Sequence, residues 1–439
     1  MQHRRNFCAA FAEVIIVRNG SFGLLWTGQL LSSIGTWFLV VAVPVYVFHL
    51  TASARDTGLA SVAEVVPMVL LGPFAGVFVD RWSRRTTMIA SSLLQAGSVS
   101  ALVFFTRPGQ FWILISAVFA ENAIGTFFVP AYLAVVPMVV GRRADLDAAS
   151  AWTSVSRGIT RVAGAPLGGA LYAIIGFKAV VAADAVSYVV SAALVALMPA
   201  LRGRAGQSVA RAPDQSPARR AFPKRFAADL RIGVTGLLQA RILPVLLAAA
   251  ALFWLGNGAL AALLVPYVST ELRGTPAGVG VLYSALGAGY LVGALPGKFV
   301  CANSRLRRNL MTLLAAVAAA FAGVFNIHVF ALALVFIGLA GIPGNAFLTV
   351  EQNLMQRCAP DKIIGRIGSV YSTAGNVATV TGGLLASLLV RELGLSLTLN
   401  CSIGAIACAG AVAALLPRSF AATSADRAAM AQTEPRELF

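Results

Sequence analysis

Charge is scarce in this chain. Asp, Glu, Lys and Arg make up 12% of its 439 residues, and there are only three histidines and five cysteines. A soluble domain is about a quarter charged. Here apolar residues reach 58% and the mean hydropathy is +0.80, so water is not the solvent for most of the chain. Cys8, Cys301, Cys358, Cys401 and Cys408 form no CxxC pair and no metal-binding spacing, which leaves neither a disulfide framework nor a metal site to expect. His3, His49 and His328 fall in a tail or at the ends of apolar runs, which argues against a histidine proton relay. No Gly-rich loop ending in Lys-Ser/Thr occurs, so nothing points to ATP as the energy source. Paired histidines, or a serine with its base, are missing at any one membrane depth. A membrane-embedded enzyme or lipid-handling protein therefore finds no support, and no cofactor is expected.

What the chain has instead is apolar runs of about 20 residues, each long enough to cross a bilayer as a helix. Six are expected near Phe22 to Phe48, Gly58 to Val79, Thr87 to Phe105, Phe111 to Tyr132, Ser150 to Ile175 and Ala179 to Met198. Six more follow near Ile242 to Val268, Ala277 to Val300, Leu310 to Phe325, Val329 to Val350, Gly365 to Val390 and Ser396 to Leu416. The expected fold is an all-α polytopic membrane protein of twelve transmembrane helices in two six-helix bundles. Its parts would be residues 1–200, a basic linker at 201–241, residues 242–416 and a tail at 417–439. The basic N-terminus lacks a small-residue cleavage site after a compact apolar core, so the first run reads as a retained span.

The net charge of +17 does not form a stripe of the kind nucleic acid requires; it sits in clusters between apolar runs. On one side of the membrane these are Arg81, Arg84, Arg85, Arg142, Arg143, Arg305, Arg307, Arg308, Arg357, Lys362 and Arg366, against Arg55, Arg107, Lys178, Arg273 and Arg391 on the other. Positive loops stay inside, so both termini are expected in the cytoplasm. The linker holds nine cations from Arg202 to Arg241 and three prolines. From Arg225 onward Phe226, Leu230, Val234, Leu237 and Leu238 recur at helical spacing, the pattern of a surface helix on the inner leaflet, although charge alone would also keep such a linker inside. A weak repeat links GVFVDRWSRR (Gly76 to Arg85) with GKFVCANSRLRR (Gly297 to Arg308), six runs later. Two related halves are the arrangement of an alternating-access carrier.

An ionisable group at membrane depth costs about 2.5–3.5 kcal/mol on insertion scales, so each one is a functional candidate. At about 1.5 Å per residue, Glu121 and Arg161 fall near the midplane, whereas Asp184 and Glu64 fall shallower, where gating or simple hydration stands beside proton coupling as the reading. Arg157 and Arg161 share a helix face, and either could neutralise Glu121. Two readings stay open: Glu121 titrates and couples proton entry to transport, or it belongs to a permanent ion pair. Glu351 falls at a helix end and is expected to be solvated. Gln29, Trp37, Asn122, Asn257, Tyr283, Asn345 and Asn376 lie near the midplane as candidate cavity residues suited to a bulky, partly polar organic molecule, or as interhelical glue.

The segment LGPFAGVFVDRWSRR (Leu71 to Arg85) resembles the loop signature of the major facilitator superfamily through Gly76, Asp80, Arg81, Arg84 and Arg85. GQLLSSIGTW (Gly28 to Trp37), Gly168 to Ala192 and CAPDKIIGRIGSVYS (Cys358 to Ser372) look like the branch that contains macrolide and tetracycline efflux pumps and the enterobactin exporter. The resemblance implies a secondary transporter in a bacterial inner membrane, exporting a small organic molecule in exchange for protons, working as a monomer, with the five signature residues as a conformational latch. The alternative is uptake of a nutrient or metabolite. Two positions depart from the pattern. Cys301 and Ala302 stand where the second copy would have Asp-Arg, and the fifth-run motif reads Gly164-Ala165-Pro166-Leu167-Gly168-Gly169, its proline one place late.

Overall fold

The computed structural model describes residues 19–79, 82–141, 146, 148–150, 152–153, 156, 159–199, 222–240, 242–300, 306–360 and 363–416. Side chains at 73, 76–77, 161–162, 222–229 and 294–300 lie outside that description. The described elements are all helical. They are α1 Gly20–Thr51, α2 Ala54–Val79, α3 Arg84–Ser100, α4 Phe111–Val140, α5 Ala165–Ile175, α6 Phe177–Leu197, α7 Phe222–Gln239, α8 Leu243–Thr270, α9 Pro276–Val300, α10 Leu306–Asn326, α11 Phe330–Cys358, α12 Ile364–Leu393 and α13 Leu395–Ala413. Among the described residues, ten helices are long and apolar enough to cross a membrane. The expectation was twelve. The other two expected spans coincide with α2, which carries Arg55, Asp56 and Glu64, and with α5, an apolar helix of 11 residues.

Local chemistry sets the helix ends. Asn19 caps α1 by accepting from the Phe22 N–H at 3.2 Å, while its amide donates to the Val139 carbonyl at 2.9 Å and ties α1 to the end of α4. Ser83 caps α3, and Gly176 and Gly394 provide the turns between α5 and α6 and between α12 and α13 at φ of 83° and 78°. A π turn, Thr160–Gly164, leads into α5. Pro166 follows it and has no N–H to give to the turn below, which favours widening of the helix there. The late proline of the fifth run therefore appears as a change in helix pitch.

The chain divides into two compact units, residues 1–215 with 273–284, and residues 216–272 with 285–439. In the first unit the apolar core has two parts. One gathers Val43, Val47, Phe105, Leu114 and Phe177; the other gathers Phe22, Leu25, Met88, Tyr132 and Val139. Between them along α1 and α4 lie polar residues. α1 and α6 approach closely where Gly35 meets Asp184 and Ser187, a place where any Cβ would collide with the Asp184 carboxylate. The second unit is built on the contacts of α8 with α12 and α13 and of α10 with α11.

Candidate functional site

The polar gap in the first unit's core is an open cavity of about 520 Å³. Gln29, Ser32, Ser33 and Thr36 reach it from α1, Glu64, Met68, Gly72 and Ala75 from α2, Gln95 from α3, and Tyr188 from α6. α4 supplies Glu121, Asn122, Thr126 and Phe128. Of the expected cavity residues, Gln29 and Asn122 line it. Trp37 instead packs against Gly164, its ring 6.5 Å from that of Tyr283, and Asn345 donates to the Tyr290 carbonyl at 2.7 Å as interhelical glue. Asn257 and Asn376 are half-buried in the second unit.

The carboxylates are close to one level. Glu64 is ten residues into α2 and Glu121 ten residues into α4, which places both about 15 Å along their helices from the same end. The shallower placement expected for Glu64 is thus corrected. Its helix starts at Ala54, four residues before the apolar run, because Arg55 and Asp56 are part of the first turn. Glu64 and Glu121 line the same cavity and lie within electrostatic reach of each other.

Tyr188 organises the site. Its hydroxyl donates to Glu121 Oε1 at 2.8 Å, meets Thr36 Oγ1 at 3.1 Å and accepts from Gln95 Nε2 at 3.3 Å, so α1, α3, α4 and α6 join at one oxygen. Glu121 is 5% exposed and Tyr188 3%. One turn earlier on α6, Asp184 is completely buried, which argues against simple hydration among the readings open for it. Its Oδ1 accepts from Ser187 at 3.3 Å, and its Oδ2 has no partner among the described residues. Gln29 donates to Ser33 at 3.1 Å, but its own buried Oε1 is likewise without a partner there.

Arg157 and the side chain of Arg161, the expected partners of Glu121, lie outside the described residues. So do Asp80 and Arg81 of the loop signature, while Gly76 lies within α2. Arg84 and Arg85 are described. Arg84 Nη1 meets Met138 Sδ at 2.8 Å, and the Arg85 guanidinium donates to the carbonyls of Val195 and Ala196, neutralising the C-terminal dipole of α6. Glu351, expected to be solvated, is 6% exposed. α11 continues two turns past the apolar run and carries Glu351 against α12, where the Tyr371 hydroxyl faces it without a hydrogen bond of normal geometry. Among the described residues no group of three His, Cys, Asp or Glu is placed to hold a metal.

Among the described residues, a buried carboxylate network at mid-helix depth sits inside an all-helical fold with ten apolar spans, the setting of a membrane transporter. The chain belongs to the family described as "Transmembrane secretion effector" (MFS_3), whose model matches residues 11–438. It is a transporter of the major facilitator efflux branch and not an enzyme. Macrolide efflux protein A of Streptococcus pyogenes is 24% identical over 382 residues, covering 85% of this chain and 90% of that one. The multidrug efflux pump Tap of Mycolicibacterium fortuitum is 26% identical, covering 91% and 97%, and the enterobactin exporter EntS of Citrobacter koseri is 25% identical, covering 86% of each. Among solved structures, the fold matches a bacterial homologue of the human lysosomal transporter Spinster, in its inward-facing and occupied conformation, with a TM-score of 0.67 at 13% identity, covering 92% and 97%. A multi-span bacterial transporter of this family resides in the inner membrane, with a small molecule as its substrate.

Proposed function

We propose that this chain is a proton-coupled exporter of a bulky organic compound, of the drug, antibiotic or siderophore kind, working by alternating access as a monomer. In this reading twelve spans form two six-helix bundles, at residues 1–200 and 242–416, and both termini face the cytoplasm with the 201–241 linker. The observation that carries it is the cavity with Glu64 and Glu121 at one depth and the Tyr188 hydroxyl on Glu121. Two carboxylates that share a low-dielectric space disfavour each other's charge, so a proton held there is released when a positively charged or hydrogen-bonding substrate enters. Met68, Phe128, Val129 and Leu133 give the apolar surface that a large organic body needs. The relatives that export macrolides, multiple drugs and enterobactin support this substrate range. Gly76, Asp80, Arg81, Arg84 and Arg85 act in this reading as the latch that holds helix ends together in one state and frees them in the other.

Uptake of a labelled macrolide into inverted vesicles, with and without a proton gradient, tests the coupling. Glu121→Gln, the shape of the protonated acid, is expected to exchange substrate down its gradient and to fail to accumulate it. Undiminished uphill uptake removes Glu121 from the coupling. Loss of protein from the membrane, recovered by adding Arg161→Ala, assigns Glu121 to a structural ion pair instead.

A further inference from the structure

α7 is the one described helix with an amphipathic pattern outside the apolar spans, and the transport reading gives it no task. Successive residues of a helix turn by about 100°, which sorts the described residues of α7 into three sectors. Gly233, Gly236 and Leu237 form the first and are buried, as is Ala240 just past the helix. This sector lies on the start of α12, so closely that a Cβ at Gly233 would stand 2.8 Å from the Arg366 carbonyl oxygen, and one at Gly236 would stand 2.6 Å from Ile363 Cδ1. Next round the helix come Leu230, Val234 and Leu238, exposed by 46%, 36% and 63%. Arg231, Thr235 and Gln239 follow, all exposed, and Ile232, 38% exposed, closes this sector beside the buried one.

One side of α7 is thus committed to protein. The next is apolar and uncovered, and the third is polar but for Ile232, with Arg231 on the border between the two. A helix lying at a bilayer surface has this order, with its apolar stripe among acyl chains and its cations level with phosphates. The chain around it adds charge of one sign. Residues 201–241 hold nine Lys and Arg against Asp214 and Asp229, so the segment complements an anionic surface and repels a basic one. We propose that α7 is a binding element for anionic phospholipid, which holds the start of α12 at headgroup level. That the leaflet is the cytoplasmic one rests on the topology proposed above; the binding itself does not.

Hydrogen exchange of the full-length protein in nanodiscs tests this without knowledge of the transported substrate. Discs of pure phosphatidylcholine are compared with discs holding one quarter phosphatidylglycerol. Amides of residues 230–239 are expected to exchange about tenfold more slowly in the anionic discs, because lipid contact suppresses local opening. The triple variant Leu230→Ser, Val234→Ser, Leu238→Ser is expected to exchange alike in both, while protection of α8 and α11 stays at the wild-type level and reports an intact fold. Arg231→Glu should remove most of the difference between the two lipids. Equal exchange of the wild-type helix in both discs overturns the proposal, as does slowing that survives the triple variant. Slowing that appears only with two copies per disc overturns it in favour of a second copy as the occupant of the stripe.

Discussion

Some of the buried polar groups of the two units are held in different ways. In the first, Gln95, Glu121 and Tyr188 bond from one helix to another through side chains alone. In the second, the buried hydroxyls of Ser387, Thr398 and Ser402 bond back to the carbonyls of their own helices, to Gly383, Gly394 and Thr398. Its buried link between helices made by Tyr267 ends on a backbone carbonyl, at Val324. A bond to backbone has one geometry and no proton to exchange. A side-chain network can lose a proton, rotate and bond again, at small cost to the helices that hold it. The bonds around Tyr188 can therefore change with a proton, and these backbone-ended bonds of the second unit cannot.

Removing the titrating groups from the first unit tests this contrast most severely. Glu64→Gln combined with Glu121→Gln is expected to lower uphill transport about 100-fold, the scale of a lost acid–base group, while downhill exchange stays within about threefold of wild type. Vesicle transport with and without a proton gradient separates the two effects. Active efflux by the double variant would show that the coupling ion uses other residues and would leave the contrast between the units without functional meaning.

Steric change at the α1–α6 contact comes next. Gly35→Val would force a side chain into the Asp184 carboxylate and Ser187, and overpacking of this kind costs about 2 kcal/mol. Thermal denaturation in detergent should show a lower midpoint. An unchanged midpoint would mean that α1 and α6 move apart freely, contrary to the close packing at Gly35. The smaller Gly35→Ala should lie between the two.

Much of this architecture was legible in the sequence, because a bilayer requires long apolar runs and helices follow those runs. The site was only partly legible, for identifiable reasons. The level of Glu64 was misjudged because Arg55 and Asp56 look like a loop, yet they form the first turn of α2. The burial of Glu351 was missed because apolar content falls after Val350, while the helix continues through Cys358 with one face covered. Tyr188 was not singled out at all. Its one signal was the Asp184-Tyr188 spacing of four, which sets two polar groups on one face of an otherwise apolar helix. Asn345 shows the converse: an amide at the right depth that only bridges helices.

A finer probe of the first unit is Tyr188→Phe, which keeps the ring and deletes the hydroxyl shared by Glu121, Thr36 and Gln95. Losing a hydrogen bond to a buried acid is worth about tenfold in uphill transport. The pH dependence of transport should shift as well, since the donor that favours the charged form of Glu121 is gone. A lower midpoint of unfolding with an unmoved pH profile would make Tyr188 a packing residue.

The smallest effect is expected in the second unit, at Glu351. Its carboxylate is buried against α12 and faces Tyr371, and it belongs to no side-chain network like that around Tyr188 among the described residues. Glu351→Gln keeps the size and the hydrogen-bonding capacity and removes the acid. If the second unit is a rigid frame, transport should change by less than about threefold, and stability should stay level or rise slightly, because burying a carboxylate with no cation beside it among the described residues is costly. The measurement pairs vesicle uptake with a denaturation midpoint, so that a folding defect is not read as a transport defect. Loss of uphill uptake as large as that of Glu121→Gln, with the midpoint unmoved, would place a coupling carboxylate in each unit. The contrast drawn from their hydrogen bonds would then describe packing and not the division of labour.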